Sequence, residues 1–384
     1  MKSNWQQVKI KDFAQVKRGA SPRPIGDSKH FAPKGRGWIR ISDITQEYKY
    51  LTATSQYLSE LGEQASVSVN KGDLIMSICA TVGKPMLVDI PACIHDGFVT
   101  FRNIDNYFVD KEYLFYYLLL LEDQWKDKGQ TGSQMNLNST IVEETNIILP
   151  PIETQTKIVN LLRTLDEAIQ KTDKIIQKTE KLKQGLMQSI LSFGNKEDIR
   201  QLALGDIGKV SMCKRIFKHE TSNTGEIPFY KIGTFGKEPD SFISQKLYDS
   251  YRNKFPFPKI GDVLLSASGT IGRKVKYDGR PAYFQDSNIV WLEHDESKIL
   301  NDFLFYLYDT TRWQTEGSTI KRLYNDILLK KIIPVPSLNK QRNLIEVLSA
   351  VEEKISVNKK LNERFNILKK GLMQDIFSQK VQIN

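Results

Sequence analysis

Two hydrophobic patterns alternate along the chain. In residues 1–151, and again in 194–336, short apolar runs rich in Val, Ile and aromatics are punctuated by Gly, Pro and Asn, as strands cut by turns require. LIMSIC (74–79), FVTFR (98–102), DVLLSAS (262–268) and IVWLE (289–293) are the clearest strands. One amphipathic helix is predicted inside each region, at 110–124 and at 301–312. Each region therefore reads as an α+β unit, mostly strand. In 152–193 and 337–384 the period becomes helical, after LPPIETQ (149–155) and IPVPSLNKQ (333–341), whose prolines stop the preceding strands. Ile158, Leu162, Leu165, Ile169, Thr172, Ile176, Thr179, Lys183, Leu186 and Ile190 fall at alternating spacings of four and three. Adding 186 to each gives Leu344, Leu348, Val351, Ile355, Asn358, Asn362, Phe365, Lys369, Leu372 and Ile376. Both sets read as coiled-coil seams, on helices roughly 60 Å long at 1.5 Å per residue. A lone helix of that length needs cover for its stripe, and the other copy offers the only equal one, which predicts an antiparallel pair. Polar Thr172, Thr179, Asn358 and Asn362 weaken the seam but fix its register.

The chain is also internally duplicated. KQGLMQSIL (183–191) returns as KKGLMQDIF (369–377), KGDLIMSICATVGKP (71–85) lines up with IGDVLLSASGTIGRK (260–274), and YLFYYL (113–118) parallels FLFYLY (303–308). GWIRISDI (37–44) parallels PFYKIGTF (228–235), and VKIKDFAQV (8–16) parallels LALGDIGKV (202–210). All fall in one order, giving two globular units that each precede a long helix, with no shorter period. A helical glycine costs about 1 kcal/mol relative to alanine, so the recurrence of Gly185 and Gly371 predicts a backbone that something approaches closely, a relic of duplication being the alternative. With these glycines, Leu162, Leu165, Ile169, Leu186, Leu348, Val351, Ile355 and Leu372 are the candidate contacts of the helix pair or of a partner.

Composition narrows the function. A chain of 384 residues, 40% of them hydrophobic, can build two or three domains with real cores. A net charge of +10 and a pI near 9.2 suit a polyanionic partner, and also fit an ordinary basic surface. Three cysteines, Cys79, Cys93 and Cys213, argue against a disulfide framework and for a reducing compartment. The N-terminal MKSNWQQVKIKDFAQV lacks a signal-peptide apolar run, and YLFYYLLLL (113–121) is half a membrane span. A cytoplasmic protein without membrane contact is expected.

The sequence carries no recognisable catalytic motif. An adenine methyltransferase needs an Asn-Pro-Pro-aromatic kind of motif and a glycine-rich cofactor turn, but Pro150-Pro151 stands between Leu149 and Ile152. No Gly-x-x-x-x-Gly-Lys-Ser/Thr phosphate loop occurs. Pro239-Asp240 followed by Ser244-Gln245-Lys246 lacks the second carboxylate a metal-dependent nuclease requires. Cys79, Cys93 and His95 suggest zinc, yet the second unit offers only Ser268 near the place of Cys79 and no histidine opposite His95, so buried thiols and a capping or surface histidine are the simpler reading. No catalytic and no metal-binding residue is proposed.

What remains is DNA binding, which needs cations for phosphates and forked or amide side chains for base edges. The loop RGASPRPIGDSKHFAPKGRGWIR (18–40) carries Arg18, Arg23, Lys34, Arg36 and Arg40 among glycines and prolines. CKRIFKHE (213–220) occupies the corresponding place with Lys214, Arg215 and Lys218, and Lys231 aligns with Arg40. A second candidate is the turn after the inner helix, QTGSQMNLN (130–138) and EGSTIKRLYN (316–325), with Gln134, Asn136, Lys321 and Arg322. Thr-x-Gly turns followed by Lys84 and by Arg273-Lys274 are a third. Any one of these is as readily a solvated surface cation; it is the clusters that point to DNA.

The joints ILPPIETQ and IPVPSLNKQ, the Gly-Ser turns TGSQMNLN and EGSTIKRL, and the twin LKxGLMQ ends resemble the DNA specificity subunit of Type I restriction-modification systems over essentially the whole chain. Lys340-Gln341, where an acidic residue often precedes the glutamine, and Thr154-Gln155 depart from the common joint. The resemblance implies two mixed α/β target recognition domains, 1–151 and 194–336, separated by antiparallel coiled-coil helices, 152–193 and 337–384, the last with a tail. It further implies that each domain reads half of a bipartite double-stranded DNA site, that the helix region recruits two methyltransferase subunits, and that restriction and motor subunits join afterwards. The chain itself would be non-catalytic and bind no cofactor, with S-adenosylmethionine for adenine N6 methylation, and ATP and Mg for restriction, held by partners. A coiled-coil scaffold without DNA readout, or a fused restriction-methylation enzyme of unusual motifs, are the rival readings.

Overall fold

A computed structural model describes residues 4–45, 47–129, 137–192, 199–311, 313 and 323–381. It falls into two compact units, Met1–Thr172 with Leu361–Asn384, and Asp173–Lys360. The first unit is two stretches of chain and the second is one, and each joins a globular region to half of both long helices, Ile152–Ser192 and Leu338–Phe377.

In the first unit, the strand Phe98–Arg102 lies between Gln15–Arg18 and Leu74–Ser77, and the sheet continues through Pro85–Val88 to Tyr50–Leu51. Alternate residues of these strands serve two cores, because successive side chains leave a strand on opposite faces. Leu74, Met76, Val99 and Phe101 pack with Tyr113, Leu114 and Leu118 of the inner helix Lys111–Gly129. Ile75, Phe98, Met86 and Val88 pack with Ile39, Ile94 and Val69 of a second five-stranded sheet. Burial on both faces explains why these strands read as continuous apolar runs, and each such side chain contributes about 1.5–3 kcal/mol. The second sheet contains a parallel pair, Arg36–Ile39 beside Ala92–Ile94, with Ile39 opposite Ile94.

The second unit repeats this plan on fewer strands. Val263, Leu265, Val290 and Leu292 face the inner helix Asn301–Thr310 with Phe303, Leu304 and Leu307, while Leu264, Ile289 and Trp291 face the other sheet. That other sheet has three strands, and its parallel pair sets Tyr230 opposite Phe284. The aligned segments GWIRISDI and PFYKIGTF thus both supply the parallel strand.

Each globular region closes on itself before its helix begins. Gln6–Lys9 pairs antiparallel with Asn146–Leu149, and Ile199–Ala203 with Ile332–Pro336. Just beyond stand two glutamines with no exposed surface, Gln155 and Gln341. Gln155 Nε2 donates to the carbonyls of Phe108 (3.0 Å) and Pro150 (2.9 Å), and its Oε1 accepts from Asp110 N at 2.8 Å. Gln341 repeats this with Lys298 O (2.9 Å), Pro336 O (2.8 Å) and Leu300 N (2.8 Å). One side chain thus satisfies the backbone groups that proline and the start of the inner helix leave unpaired.

Within each unit the two helix halves run antiparallel. In the first, Ile158 and Leu162 share a core with Met373, Ile376 and Phe377, and Asn362 Nδ2 donates to Ile169 O at 3.3 Å. In the second, Leu186 and Met187 pack with Leu344 and Leu348, and Lys359 meets Glu180 at 2.7 Å. The seam is buried at Ile158, Leu162, Ile169, Thr172, Ile176, Thr179, Leu348, Lys369 and Ile376; Leu165, Leu186, Val351, Ile355 and Leu372 are half-buried. Of the polar seam residues, Asn362 reaches across; Thr172 and Thr179 bond the carbonyls of Ala168 and Ile175 four residues back, and Asn358 bonds Lys354 O likewise. The glycine expectation needs correction within the chain: a Cβ built on Gly185 or Gly371 meets nothing within 4 Å among the described residues.

Candidate DNA interface

In the first unit three loops converge at the end of the parallel strand pair. Gly19 N donates to Phe98 O at 2.8 Å and Ala20 N to Ile94 O at 3.2 Å, which seats the loop starting at Arg18 against residues 94–98. Only a glycine fits at 19, since a Cβ would stand 2.2 Å from His95 O. Asp96 gathers the basic residues. Its carboxylate accepts from Ser21 Oγ (2.9 Å) and Arg23 Nη2 (3.1 Å), and its backbone carbonyl from Arg18 Nε (2.9 Å). Arg40 stacks over the buried ring of Trp38 at 5.5 Å and bonds Gln56 at 3.1 Å, and His95 tilts against the same indole at 5.6 Å. Gly97 N donates to His95 Nδ1 at 2.9 Å, so that nitrogen accepts and the Asp96 oxygen 3.0 Å from it is not an ion-pair partner. Burial holds the imidazole below its ordinary pKa, opposed by Asp96 and assisted by Arg40, Arg23 and Arg18. The result is a neutral ring at the centre of an exposed arginine cluster.

The second unit builds the same corner from different residues. Gln285 stands where His95 does; its backbone N donates to Tyr230 O (3.0 Å) and its side-chain Oε1 accepts from Ile232 N (2.8 Å). Asp286 accepts from Arg215 Nε at 2.7 Å. Lys214 lies over Phe255 at 5.1 Å, and Phe217 is 53% exposed and stacked on His219 in the same basic loop. Lys231 follows the parallel strand as Arg40 does, and meets Asp240 at 2.8 Å.

The remaining sequence candidates differ in exposure. Lys34 and Lys218 are exposed. Arg36 is half-buried between Glu63 (3.2 Å), Val69 O (3.4 Å) and the Asn70 side chain. Lys84 bonds the carbonyls of Ile44 (2.5 Å) and Thr45 (3.5 Å), and Arg273 Nη1 bonds Phe235 O at 2.9 Å. Lys274 is corrected: its side chain is 9% exposed, pairs with Asp309 at 2.8 Å, bonds Phe305 O and lies 3.6 Å from the Phe305 ring centroid. Its charge is committed within the fold. Gln134, Asn136, Lys321 and Arg322 lie outside the described residues.

Sequence reasoning missed Asp96, Asp286 and Phe217. The two aspartates stand 190 positions apart, beside the aligned strands, so a finer alignment would have paired them. Among the described residues no three His, Cys, Asp or Glu gather to hold a metal. Burial pushes the Cys93 thiol up to about 11 and the Cys213 thiol up to about 12, which opposes thiolate ligation. No described helix is long and apolar enough to cross a membrane.

Comparison with known proteins agrees with this duplicated plan. The family model for the Type I restriction modification DNA specificity domain matches twice, at residues 2–181 and 196–366. A Haemophilus influenzae type I restriction enzyme specificity subunit is 45% identical over 56% of the chain, the match spanning 58% of that relative's length. The Methanocaldococcus jannaschii MjaVIII specificity subunit is 24% identical over 99% of this chain and 93% of its own. The crystal structure of the Type I S subunit from M. genitalium shares the fold, with a TM-score of 0.62 at 17% identity over 100% of this chain and 98% of that one. Two tandem matches, each containing one basic corner and one long helix, place the chain in the Type I restriction modification DNA specificity family, as a specificity subunit whose work is DNA sequence recognition.

Proposed function

We propose that each basic corner reads one half of a bipartite duplex site, and that the paired helices set the unread spacer and carry two copies of a methyltransferase subunit that methylates adenine N6. The observation that carries the reading is repetition at both levels. The corners stand at the same place in both units, as two half-sites require. A second apolar stripe, outside the seam, also recurs on both helices: Leu161, Ile175 and Leu182 on one, and Val347, Leu361 and Leu368 on the other, each 40–54% exposed. Leu161, Ile175 and Leu182 become Val347, Leu361 and Leu368 on adding 186. Solvated helices gain nothing from such a stripe, whereas two like helical partners would cover it. Two grooves support the same number of partners, one of 730 Å³ lined by Lys369, Lys370, Met373 and Gln374, the other of 500 Å³ lined by Lys183, Gln184, Met187 and Gln188.

The test is methylome sequencing of cells holding the chain with its methyltransferase. A bipartite adenine motif is expected, and methyl transfer by the purified pair but not by this chain alone. Inserting four residues into each helix, after Lys174 and after Lys360, adds about 6 Å against roughly 3.4 Å per base pair, so the spacer should grow by one or two base pairs with both half-sites unchanged. An unchanged spacer in an active complex sinks the spacer role; a continuous motif sinks the two-corner reading.

A further inference from the structure

Both corners contain an acid that a DNA-binding surface has no evident use for. Asp96 and Asp286 occupy the same turn, between the parallel strand and the next antiparallel one: Phe98 N returns to His95 O at 3.0 Å, and Ile289 N to Gln285 O at 3.1 Å. The loops that reach them differ in length and sequence, yet each delivers an arginine. Arg23 is 69% exposed and Asp96 28%; Arg215 is 61% exposed and Asp286 17%. Exposed ion pairs contribute little to stability, about 0–1 kcal/mol. Their recurrence on unlike loops therefore asks for a reason beyond stability.

Resting on the reading of these corners as the DNA-facing surfaces, we propose that Asp96 and Asp286 are specificity-determining positioning residues. Each holds a loop arginine in the groove-reading pose and keeps it off the phosphates. A guanidinium has five N–H donors in a fixed fork. Arg215 uses Nε on Asp286, Arg23 uses one Nη2 donor on Asp96, and Arg18 uses Nε on the Asp96 carbonyl, so each keeps donors for a ligand. A guanine edge presents two acceptors and no net charge, and accepts the remaining fork. A phosphate brought to the same arginine would also meet the carboxylate, and like charges at that range repel. The acid therefore favours bases over backbone, which exchanges non-specific affinity for discrimination.

The experiment uses the reassembled methyltransferase and duplexes carrying the motif that methylome sequencing assigns, with single base-pair changes in one half-site or the other. Asp96→Asn should lower the cognate-to-mismatch affinity ratio about tenfold at one half-site. It should also tighten binding to random duplex several-fold and steepen the salt dependence by about one unit, since the released arginine takes a phosphate. Asp286→Asn should do the same at the other half-site only, and Asp96→Glu and Asp286→Glu should restore discrimination. Unchanged ratios and slopes in both Asn variants overturn the proposal. So does loss of discrimination at both half-sites from one variant, or a fall in melting temperature that accounts for weakened cognate binding. If Arg18→Ala with Arg23→Ala, and Arg215→Ala, leave affinity untouched, the corners do not face DNA and the underlying reading fails with it; arginines that matter beside indifferent aspartates refute the aspartate role alone.

Discussion

At the root of the helix pair the two units solve one problem with unequal investment in burial. In the first, Asp166 on one helix receives Lys369 of the other at 2.7 Å, Tyr116 of the inner helix at 2.5 Å and Tyr48 at 2.9 Å, with side chains of Asp166 and Lys369 4% and 5% exposed. In the second, Glu352 receives Lys183 at 2.6 Å and Tyr306 at 3.0 Å, but the pair is 36% and 25% exposed. The lysines and the acids correspond at an offset of 186, and the tyrosines at 190. Each unit also drives a further lysine into this region: Lys49, just before the strand Tyr50–Leu51, against Glu112 (2.7 Å) and Tyr116 OH (2.9 Å), and Lys274, on the strand Lys274–Lys276, against Asp309 (2.8 Å). Burial holds Lys369 below the usual lysine range, with Asp166 opposing it, and does the same to Lys274, opposed by Asp309. The pattern of partners is thus shared, while the dielectric around it is not, and the energy of an ion pair depends on the second as much as the first.

This difference can be broken directly. Asp166→Ala leaves Lys369 buried and unpaired and should cost about 3–5 kcal/mol, whereas Glu352→Ala at its counterpart should cost about 1 kcal/mol because water already reaches the pair. Chemical denaturation followed by tryptophan fluorescence measures both, and equal losses would show that burial is not what separates the units. The joint glutamines should behave alike instead. Gln155→Leu and Gln341→Leu each strand three buried backbone groups, for a loss on the order of 2–4 kcal/mol apiece, and calorimetry that finds one of them silent would mean that its unit tolerates an open joint.

Smaller effects sharpen the same comparison. Gly185→Ala and Gly371→Ala meet open space within the chain, so each should stabilise it by about 0.5–1 kcal/mol. If the alanines raise the melting temperature yet block assembly with methyltransferase subunits, a partner occupies that space; if assembly is unaffected, the glycines are relics of duplication. Smallest is a pH effect in the first unit. Burial alone would raise the Glu112 carboxyl, but hydrogen bonds and charge from Lys49 and Arg163 outweigh it and hold it below the usual carboxylate range. A folded value below the unfolded one stabilises above the ordinary glutamate pKa of about 4.3 and fades as pH falls through the lower folded value. Glu112→Gln should flatten the acid limb of a urea-midpoint profile. Its positional counterpart Asp302 pairs with Lys276 in the open, both nearly half exposed.

The duplication, the strands that became sheet centres, both inner helices and the antiparallel stripe were all legible in the amino-acid order. Each depends on spacing: a heptad is periodic with or without its partner, and a run buried on both faces stays apolar however the sheet is ordered. What tertiary structure alone decided is where charge goes. Lys274 and Arg273 are neighbours in a basic turn, yet Lys274 is drawn in by Asp309, 35 positions away. Gln155 is one polar residue among many in its helix, and only the closure of strand, proline and inner helix around it makes it a triple bridge. Asp96 and Asp286 gain meaning from loops 73 and 71 residues upstream. Hydrophobic burial is written locally because it is non-directional and follows the period of the chain. An ion pair or a buried hydrogen bond requires two particular atoms within about 3 Å, and chain order does not specify that separation until the fold has closed.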